Sequence, residues 1–343
     1  MKHRTFFWFI LPTLSAMILF IALPIVSVFI QSLFVEHEQV LVVSESCGPF
    51  GCTETTSIDA EATAALQAES PLGRFNGLGT YFDRSHLATG EIAELWRTTD
   101  TWGEFRSEIM DLKFYAALVF TLTYTFVVTP SVLVLGLAIA VGVNNLPKAL
   151  RGLAIFISLL PFLVATIVGS MILSWMLDGE GIIGATLQNL TGDPSMTIKS
   201  STPLMWIALM IYGIWHTLPF SFIVFYAGLQ TVPQDTLEAA KVDGASKWQT
   251  MMNVVVPHLM PLVSFVTLML LMDNFRVYEP LVSFQAEAHA QSLSTFIVSD
   301  LIEAGNPLYA SAGATSILTI IGVAILLTPV VIRTWRDFNA SSH

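Results

Sequence analysis

Long uncharged stretches, separated by shorter polar ones, dominate the sequence. No charged residue occurs from Thr5 to Val35 or from Phe114 to Asn145. Each stretch exceeds the roughly 20 apolar residues that a helix needs to cross a bilayer core. Because lipid offers no partner to unpaired backbone groups, we expect such stretches to be helical. The pattern predicts six transmembrane helices, at about Phe6–Phe34, Phe114–Val143, Leu153–Leu177, Pro203–Gln230, Leu259–Phe284 and Tyr309–Ile332.

The first and fifth of these helices need a further argument. Lys2 and Arg4 precede the first apolar run, as they would in a signal peptide, but the run is too long and no small-residue cleavage site follows it. We therefore expect a retained membrane anchor. The fifth prediction rests on a less uniform stretch, because three charged residues lie inside it: Asp273, Arg276 and Glu279.

Composition agrees with a polytopic membrane protein of the all-α class. Hydrophobic residues make up 54% of the chain and charged residues only 12%, against about 25% charged in ordinary soluble domains. The predicted organisation is a first helix with its amino-terminal flank (1–35), a polar outer loop (36–112), a membrane core (113–336) and a short tail (337–343).

Lysine and arginine placement predicts the orientation of the helices. Positively charged loops favour the cytoplasmic side of a membrane. If the helices alternate in direction, four basic pairs fall on one side, so both termini are expected in the cytoplasm. These pairs are Lys2 and Arg4, Lys148 and Arg151, Lys241 and Lys247, and Arg333 and Arg336.

The outer loop carries most of the negative charge of the chain. It holds fourteen acidic residues and four arginines, a balance of −10 against −11 for the whole protein. The acidity therefore describes one extracytoplasmic segment, and no nucleic-acid partner is expected. Its segment 90–109 is rich in apolar residues, and we expect there a small cap that contacts an extracytoplasmic partner or only stabilises itself.

Both cysteines, Cys47 and Cys52, lie in this loop, in the stretch CGPFGC. Proline and glycine between them favour a tight turn, and an oxidising outer compartment favours a disulfide. Two free thiols are the alternative. A metal site is not expected, because no further cysteine or nearby histidine completes four ligands.

The segment LEAAKVDGASKWQTMMNVVVPHLMP interrupts the apolar pattern between the fourth and fifth predicted helices. It predicts a short helix with Asp235 as the amino-terminal cap and Glu238 three residues on, in a capping-box arrangement. Asp243 and Gly244 are expected to end that helix. A second amphipathic piece follows, and the small side chains of Ala239 and Ala240 would permit close approach by another surface.

EAAKVDGASKW resembles the EAA motif of bacterial ABC-importer permeases, and other motifs resemble the carbohydrate branch of that family, which includes the large membrane subunit of the maltose transporter. FNGLGTYF, FTLTYTF and WHTLPFSFIVFYAGLQTVPQDTLEAAKVDGA all have counterparts there, and the resemblance covers about Asn76 to Arg336. It implies a type I importer fold and a coupling loop at 231–258 that docks on a cytoplasmic ATPase. The coupling residues would be Glu238, Ala239, Ala240, Asp243 and Gly244.

The resemblance also implies an assembly. A second homologous permease, two ATP-binding subunits and a periplasmic substrate-binding protein are the expected partners, besides membrane lipid. The chain has no G-x-x-x-x-G-K-[ST] motif, so ATP and Mg would be bound by the ATPase partner and no cofactor by this chain. We expect a non-catalytic subunit in the bacterial inner membrane.

Polar residues inside membrane helices are costly and usually face a cavity or each other. The fourth and fifth helices carry such residues, and alignment with the maltose-type subunit places others beside them. Asp273 and Arg276 could instead form a purely structural pair at i, i+3 spacing, and His216 could be a satisfied core histidine. The candidate substrate path comprises Trp215, His216, Thr217, Phe220, Thr267, Leu270, Leu271, Asn274, Arg276 and Tyr278.

The expected function is a permease subunit of an ATP-driven importer for a sugar or sugar derivative. Alternative cargoes within the family are glycerol phosphate, a polyol, or an acidic glycoside, for which Arg276 is the motivating residue. A secondary transporter is the rival from another class, but it would need no docking loop.

Overall fold

The computed structural model describes residues 2–37, 40–48, 51–193, 195–302 and 308–341. The first part of the chain consists, in order, of α1 (Lys2–Met17), a π-helical turn (Ile18–Ala22), α2 (Leu23–Gln31), β1 (Phe34–Val35), β2 (Leu41–Gly48), β3 (Gly51–Ile58), α3 (Ala60–Glu69), β4 (Arg74–Phe75), α4 (Gly79–Phe82), α5 (Thr89–Thr98) and α6 (Trp102–Asp111). The strands form two antiparallel pairs, β1 with β4 and β2 with β3.

The remainder is helical. It consists, in order, of α7 (Lys113–Asn144), α8 (Lys148–Leu163), α9 (Thr166–Met176), α10 (Ile182–Thr191), a 3₁₀ turn (Ile198–Ser200), α11 (Thr202–Leu229), α12 (Gln234–Val242), α13 (Lys247–Thr250), a π-helical turn (Met251–Val255), α14 (Val256–Phe275), α15 (Glu279–Ser283), a 3₁₀ turn (Ala286–Ala288), α16 (Leu293–Ile302) and α17 (Tyr309–Ser341).

Within the described residues, five helical stretches are long and apolar enough to span a membrane, and a bent pair makes a sixth if it counts as one span. This confirms the predicted all-α membrane fold. The five stretches are Phe6–Gln31, Lys113–Asn144, Thr202–Leu229, Lys247–Phe275 and Tyr309–Arg336.

Two of the predicted spans differ from the observed ones. The third span is broken between Leu163 and Thr166, where α8 and α9 meet at 91°. The fifth spanning stretch begins at Lys247 and ends at Phe275, well before the predicted end at Phe284. Its polar first turns continue the helix because long polar side chains at a span end can reach the membrane interface.

Both π-helical turns lie just before a proline. Ile18–Ala22 precedes Pro24, and Met251–Val255 precedes Pro257. Proline donates no backbone hydrogen bond and crowds the carbonyl four residues earlier. A widened turn at that point accommodates both effects, so each spanning helix continues past its proline.

The chain divides into two compact units, residues 1–116 with 296–321, and residues 117–295 with 322–343. In the second unit, α11 packs on α8 and α14, and α9 packs on α15. Large buried aromatic side chains fill its core. Gly136 lets α7 approach α11 closely, because a Cβ there would meet the Ser221 side chain.

The first unit buries a polar centre. His86 is fully buried, and its Nε2 lies 3.1 Å from the Ser311 carbonyl oxygen and 3.0 Å from Thr315 Oγ1. The hydroxyls of Ser32 and Tyr81 lie 2.6 Å apart. Burial lowers the pKa of His86 below its ordinary value of 6.5, although the Ser311 carbonyl and the charge of Asp300 oppose the shift.

The cysteine prediction falls on the β2–β3 hairpin. The backbones of Cys47 and Cys52 are directly opposite each other in its antiparallel register, as the predicted tight turn requires. The side chains of both residues lie outside the described part of the structure, so the disulfide stays a prediction.

Candidate functional site

A polar cavity of about 500 Å³ lies within the second unit. Residues of α7, α9, α11 and α16 line it, together with the carboxyl end of α14 and the segment that follows. Five residues of the predicted substrate path take part in this lining: His216, Thr217, Asn274, Arg276 and Tyr278. The structure therefore brings half of the predicted path residues to one cavity.

The break in the third span lies on this cavity. Tyr212, on α11, donates a hydrogen bond of 2.6 Å from Oη to the Thr166 carbonyl oxygen. The Nε2 atom of His216 lies 3.3 Å from the Val164 carbonyl oxygen and 3.4 Å from Thr166 Oγ1. The two rings stack, with centroids 5.8 Å apart. Side chains of α11 thus satisfy backbone and hydroxyl groups at the break between α8 and α9.

Glycines make room for this arrangement. A Cβ on Gly169 would lie 2.9 Å from Tyr212 Oη, and a Cβ on Gly213 would collide with the Tyr124 hydroxyl. Both tyrosines line the cavity. Their hydroxyls reach it because the neighbouring helices carry no side chain at these two points.

The charged residues at the cavity already neutralise each other in part. Arg276 Nη2 lies 3.3 Å from Asp273 Oδ1, and both side chains are well exposed, 76% and 58%. Asn274 is buried and donates a 3.0 Å hydrogen bond to Thr129 Oγ1. The sequence predicts that Arg276 lies inside the fifth span, but α14 ends at Phe275, so Arg276 lies at the carboxyl end of the span.

A second cavity, of about 420 Å³, adjoins the same helices. It shares His216, Thr217, Asp273 and Arg276 with the first cavity and is otherwise apolar. Phe220 and Leu270 of the predicted path line this second space. The shared residues make a continuous polar-to-apolar surface between α11 and α14.

Three predicted path residues lie elsewhere. Trp215 lines a separate apolar cavity between α9 and α11. Leu271 is buried and Thr267 half-buried, and neither lines either of the two cavities above. Sequence reasoning missed several lining residues, of which Tyr212 carried a signal, since it lies four residues before His216 and so on the same helical face. The missed lining residues are Tyr124, Thr166, Tyr212 and Ser294.

The segment between α11 and α14 forms a sharp elbow. α12 ends at Val242, and Gly244 follows with φ of +75°. The Gly244 amide donates to the Lys241 carbonyl, and the Ala245 amide to the Ala240 carbonyl. This is a Schellman motif, in which a residue with positive φ closes the helix and satisfies its last carbonyls. The predicted helix end at Asp243 and Gly244 is confirmed.

The elbow presents exposed residues while its base is anchored. Glu238, Ala239, Asp243 and Gly244 are exposed and Ala240 is half-buried. Two large apolar side chains are also uncovered, Val242 at 86% and Trp248 at 68%. On the inner side, Leu237 packs against a small core formed by Val232, Val255 and Leu259.

The sequence comparison decides the family. The family model described as "Binding-protein-dependent transport system inner membrane component" matches residues 109–335. The chain belongs to this family. The matched range contains both the cavities and the elbow.

Relatives in the family agree over shorter ranges. The trehalose transport system permease protein SugA of Mycobacterium tuberculosis is 33% identical over 177 residues, 52% of this chain and 56% of that protein. The trehalose/maltose transport system permease protein MalF of Thermococcus litoralis is 29% identical over 178 residues, 49% and 56% of the two chains. The chain thus spans just over half the length of these curated relatives.

One solved structure shares the fold. A bacterial ABC transporter involved in the import of the acidic polysaccharide alginate has a chain that superposes with a TM-score of 0.54 at 19% identity. The superposition covers 76% of this chain and 87% of that chain. The fold of this inner membrane component is that of the type I ABC-importer permeases.

One prediction about the elbow is wrong. Asp235 does not cap α12, because Pro233 occupies the cap position and Asp235 lies in the first helical turn. The capping box occurs instead at Ser246 and Gln249, where the Ser246 amide donates to Gln249 Oε1 at 2.8 Å and the Gln249 amide donates to Ser246 Oγ at 3.3 Å. Proline at the cap leaves Glu238 without a capping role and exposed.

The predicted coupling loop, 231–258, overlaps the fifth spanning stretch, and its second amphipathic piece is the beginning of that stretch. Residues after Ser246 already belong to the helical stretch that continues to Phe275. Within the described residues, no group of three or more His, Cys, Asp or Glu side chains is placed to hold a metal ion.

Proposed function

We propose that this chain is the membrane-spanning permease subunit of an ATP-driven importer for a sugar or sugar derivative. The family membership, the relatives named for trehalose and maltose transport, and a polar cavity between membrane helices support the proposal. In this role the chain catalyses no reaction, and a partner subunit hydrolyses ATP.

The exposed elbow is the observation that supports the proposal most strongly. Its outer face combines an exposed acidic group, Glu238, with the exposed apolar side chains of Val242 and Trp248. A mixed surface of this kind suits a protein partner, because buried apolar anchors supply most of the binding energy and a charged group sets specificity. We assign this surface to the ATPase subunit, with Glu238 pairing with one of its cations.

The proposed assembly follows from this docking. Two ATPase subunits hold the elbows of this permease and of a second, homologous permease, and a periplasmic substrate-binding protein delivers cargo. The elbow and both termini lie in the cytoplasm, as the basic residues at the span ends favour. ATP and Mg bind to the partner.

Closure of the two ATPase subunits would move the elbows. Because Leu237 anchors α12 on α14, motion of the elbow is transmitted to α14, whose far end reaches the central cavity. Alternating exposure of that cavity to the two sides then requires only rigid-body shifts of packed helices.

The charges at the cavity favour a neutral cargo. Two acidic residues and one arginine line the cavity: Asp273, Glu279 and Arg276. The arginine already pairs with Asp273. An anionic cargo would have to compete with that pair. A neutral sugar can instead use the hydroxyl, amide and ring surfaces of the lining, so the acidic glycoside and glycerol phosphate alternatives are disfavoured.

Charge reversal at the elbow tests the proposal. Glu238→Lys should weaken co-purification of the ATPase subunit from membranes that express the whole assembly, because a close charge pair becomes a repulsion. The matched control is Asp235→Lys, which places the same charge one turn earlier on the same exposed helix. We expect the control to retain the ATPase.

Equal loss of the ATPase in both variants would indicate a nonspecific charge effect, and full retention in both would remove Glu238 from the interface.

The cargo is tested separately, by measuring binding of neutral and acidic glycosides to the substrate-binding protein and their uptake by the assembly. Preference for the acidic glycosides would contradict the neutral cargo.

A further inference from the structure

The outer segment contains a helical hairpin with an unusual aromatic cluster. α5 and α6 are ten residues each and pack against one another. Trp96, Trp102 and Phe105 form a cluster with ring centroids 5.3 to 6.1 Å apart. Trp96 is nevertheless 64% exposed and Trp102 71% exposed, so the cluster is only partly covered by its own unit.

An apolar groove of about 470 Å³ lies beside α5 of this hairpin. Its apolar lining residues are Leu87, Ile92, Ala93 and Trp96, and Tyr115 also lines it. Tyr115 is the third residue of α7, which is itself a membrane-spanning helix. Its hydroxyl donates a 2.8 Å hydrogen bond to the Leu87 carbonyl oxygen, which ties the groove to the start of the span.

The other side of the hairpin is acidic. A separate groove of about 530 Å³ is lined by four carboxylates, Glu91, Glu94, Glu108 and Asp111. Ala93 and Glu94 are neighbours in sequence, yet Ala93 lines the apolar groove and Glu94 the acidic one. The hairpin is therefore two-sided.

Arg97 lies at the apolar groove and is exposed. Among the residues that the structure describes, it forms no ion pair, whereas Arg84 on the acidic side pairs with Glu91. The lining of the apolar groove thus includes a cation that is available to a ligand.

We propose that the groove binds a phospholipid of the outer leaflet, with an acyl chain along Ile92, Ala93 and Trp96 and the phosphate at Arg97. The position at the beginning of a membrane span places the groove at the level of lipid headgroups, since α6 ends at Asp111 and α7 begins at Lys113. Tryptophan and tyrosine favour this interface because their rings are apolar and their N–H and O–H groups are polar. The guanidinium of Arg97 can donate charge-assisted hydrogen bonds to the phosphate of the lipid headgroup.

The acidic groove sets the orientation of the hairpin in this proposal. Carboxylates are repelled by phosphate headgroups, so the Glu94 side faces water while the Ala93 side faces lipid. The hairpin then acts as an interfacial anchor that fixes the outer loop at the entrance of α7.

Spin labels at two adjacent positions test the proposal. Ala93→Cys and Glu94→Cys are prepared separately in the full chain with Cys47→Ser and Cys52→Ser, labelled, and reconstituted in phospholipid nanodiscs without any substrate-binding protein. We expect the label at 93 to be accessible to oxygen and shielded from a water-soluble nickel reagent. The label at 94 should show the reverse. Water exposure of both labels would overturn the proposal.

A second experiment measures tryptophan fluorescence and keeps both cysteines. The chain is reconstituted in vesicles of phospholipid whose acyl chains carry bromine, which quenches nearby tryptophans. The quenching of Trp96 is the difference in quenching between the native chain and Trp96→Phe. Arg97→Glu should reduce the occupancy of the groove, and with it the quenching of Trp96, by more than about fivefold at subsaturating brominated anionic lipid. Loss of one basic residue at such a surface costs about 1 kcal/mol, and the new carboxylate adds repulsion. Arg84→Glu, on the acidic side, is the matched control and should leave it unchanged. Absence of Trp96 quenching in the native chain would exclude lipid and leave a protein or sugar as occupant.

Discussion

At the scale of single residues, several polar groups of the central cavity are paired before any cargo enters. Asn274 donates to Thr129, Tyr212 donates to the Thr166 carbonyl, and Asp273 holds Arg276. Pre-paired groups cost little to keep in a membrane. The pair of Asp273 and Arg276 also leaves little net charge from these two residues at the cavity surface.

Removing the partner of Arg276 should therefore change cargo choice. Asp273→Asn leaves the guanidinium unpaired at the cavity, and we expect uptake of acidic glycosides to rise several-fold relative to neutral ones. Solvent screening at this exposed site reduces a charge-assisted contact to roughly 1 kcal/mol or less. Competition between neutral and acidic glycosides in proteoliposomes measures this ratio. Asp273→Asn combined with Arg276→Gln is the control and should return the ratio to that of the native chain. An unchanged ratio in the single variant would contradict the neutralising role of Asp273.

His86 predicts a pH dependence of stability. Burial lowers its folded-state pKa below 6.5, so near and below that pH the unfolded chain binds more protons than the folded chain. The free energy of unfolding then rises with pH. The contribution of His86 is fully present above its unfolded pKa and is lost as the pH falls through 6.5 towards the folded value.

Thermal unfolding in detergent at about pH 7.5 and about pH 5.5 measures this loss. The midpoint of the native chain should fall on acidification, and His86→Gln, which cannot titrate, should show a smaller fall. An equal fall in both proteins would assign the pH dependence to other groups.

Some of these residues could be found from sequence, and others could not. Asn274 and Arg276 stand out because polar residues in or beside an apolar run are costly unless they face a cavity or a partner. Thr166 does not stand out, since a threonine in an apolar helix is usual in a core, and the only signal that Tyr212 carries is its place on the same helical face as His216. Their roles arise from a break in another helix, which only the folded chain brings near.

At the scale of elements, the elbow is the feature that local sequence encodes best. Pro233 begins α12, and Gly244 ends it with a positive φ. Nothing lies within 4 Å of a Cβ built on Gly244. The demand for glycine there is thus purely a matter of backbone conformation.

Gly244→Ala should distort the elbow without creating a clash. A non-glycine residue in the left-handed region costs roughly 1 to 2 kcal/mol, so we expect a several-fold loss of ATP-driven uptake with normal amounts of protein in the membrane. Gly244→Asn is the matched control, because asparagine tolerates this conformation, and it should retain most of the uptake. If alanine and asparagine behaved alike, the positive φ would not be the cause.

The break in the third span is the element that sequence reasoning missed. The run from Leu153 to Leu177 is uncharged and mostly apolar, so hydropathy predicts one helix. Pro161, in the last turn of α8, is the one local signal of the break, and proline alone often only kinks a membrane helix. The break is held by Tyr212 and His216 of α11, and such tertiary contacts have no signature in the local pattern.

At the scale of the whole molecule, composition and charge placement carry most of the prediction. Long apolar runs identify the spans, the acidic balance identifies the outer loop, and the polar segment after α11 identifies the elbow. The bounds of the fifth span were misplaced because Lys247, Gln249 and Asn253 lie in helical turns at its polar end. Hydropathy alone places such turns in a loop.

The central claim is that the elbow holds a separate ATPase subunit, and site-specific cross-linking tests it most directly. A photoreactive residue replaces Val242, which is 86% exposed on the elbow, or Leu190, which is 80% exposed on α10 and serves as the control. In the intact assembly, we predict cross-links from position 242 to the ATPase subunit and none from position 190. Cross-links to the ATPase from position 190, or their absence at position 242 in an active assembly, would contradict the account.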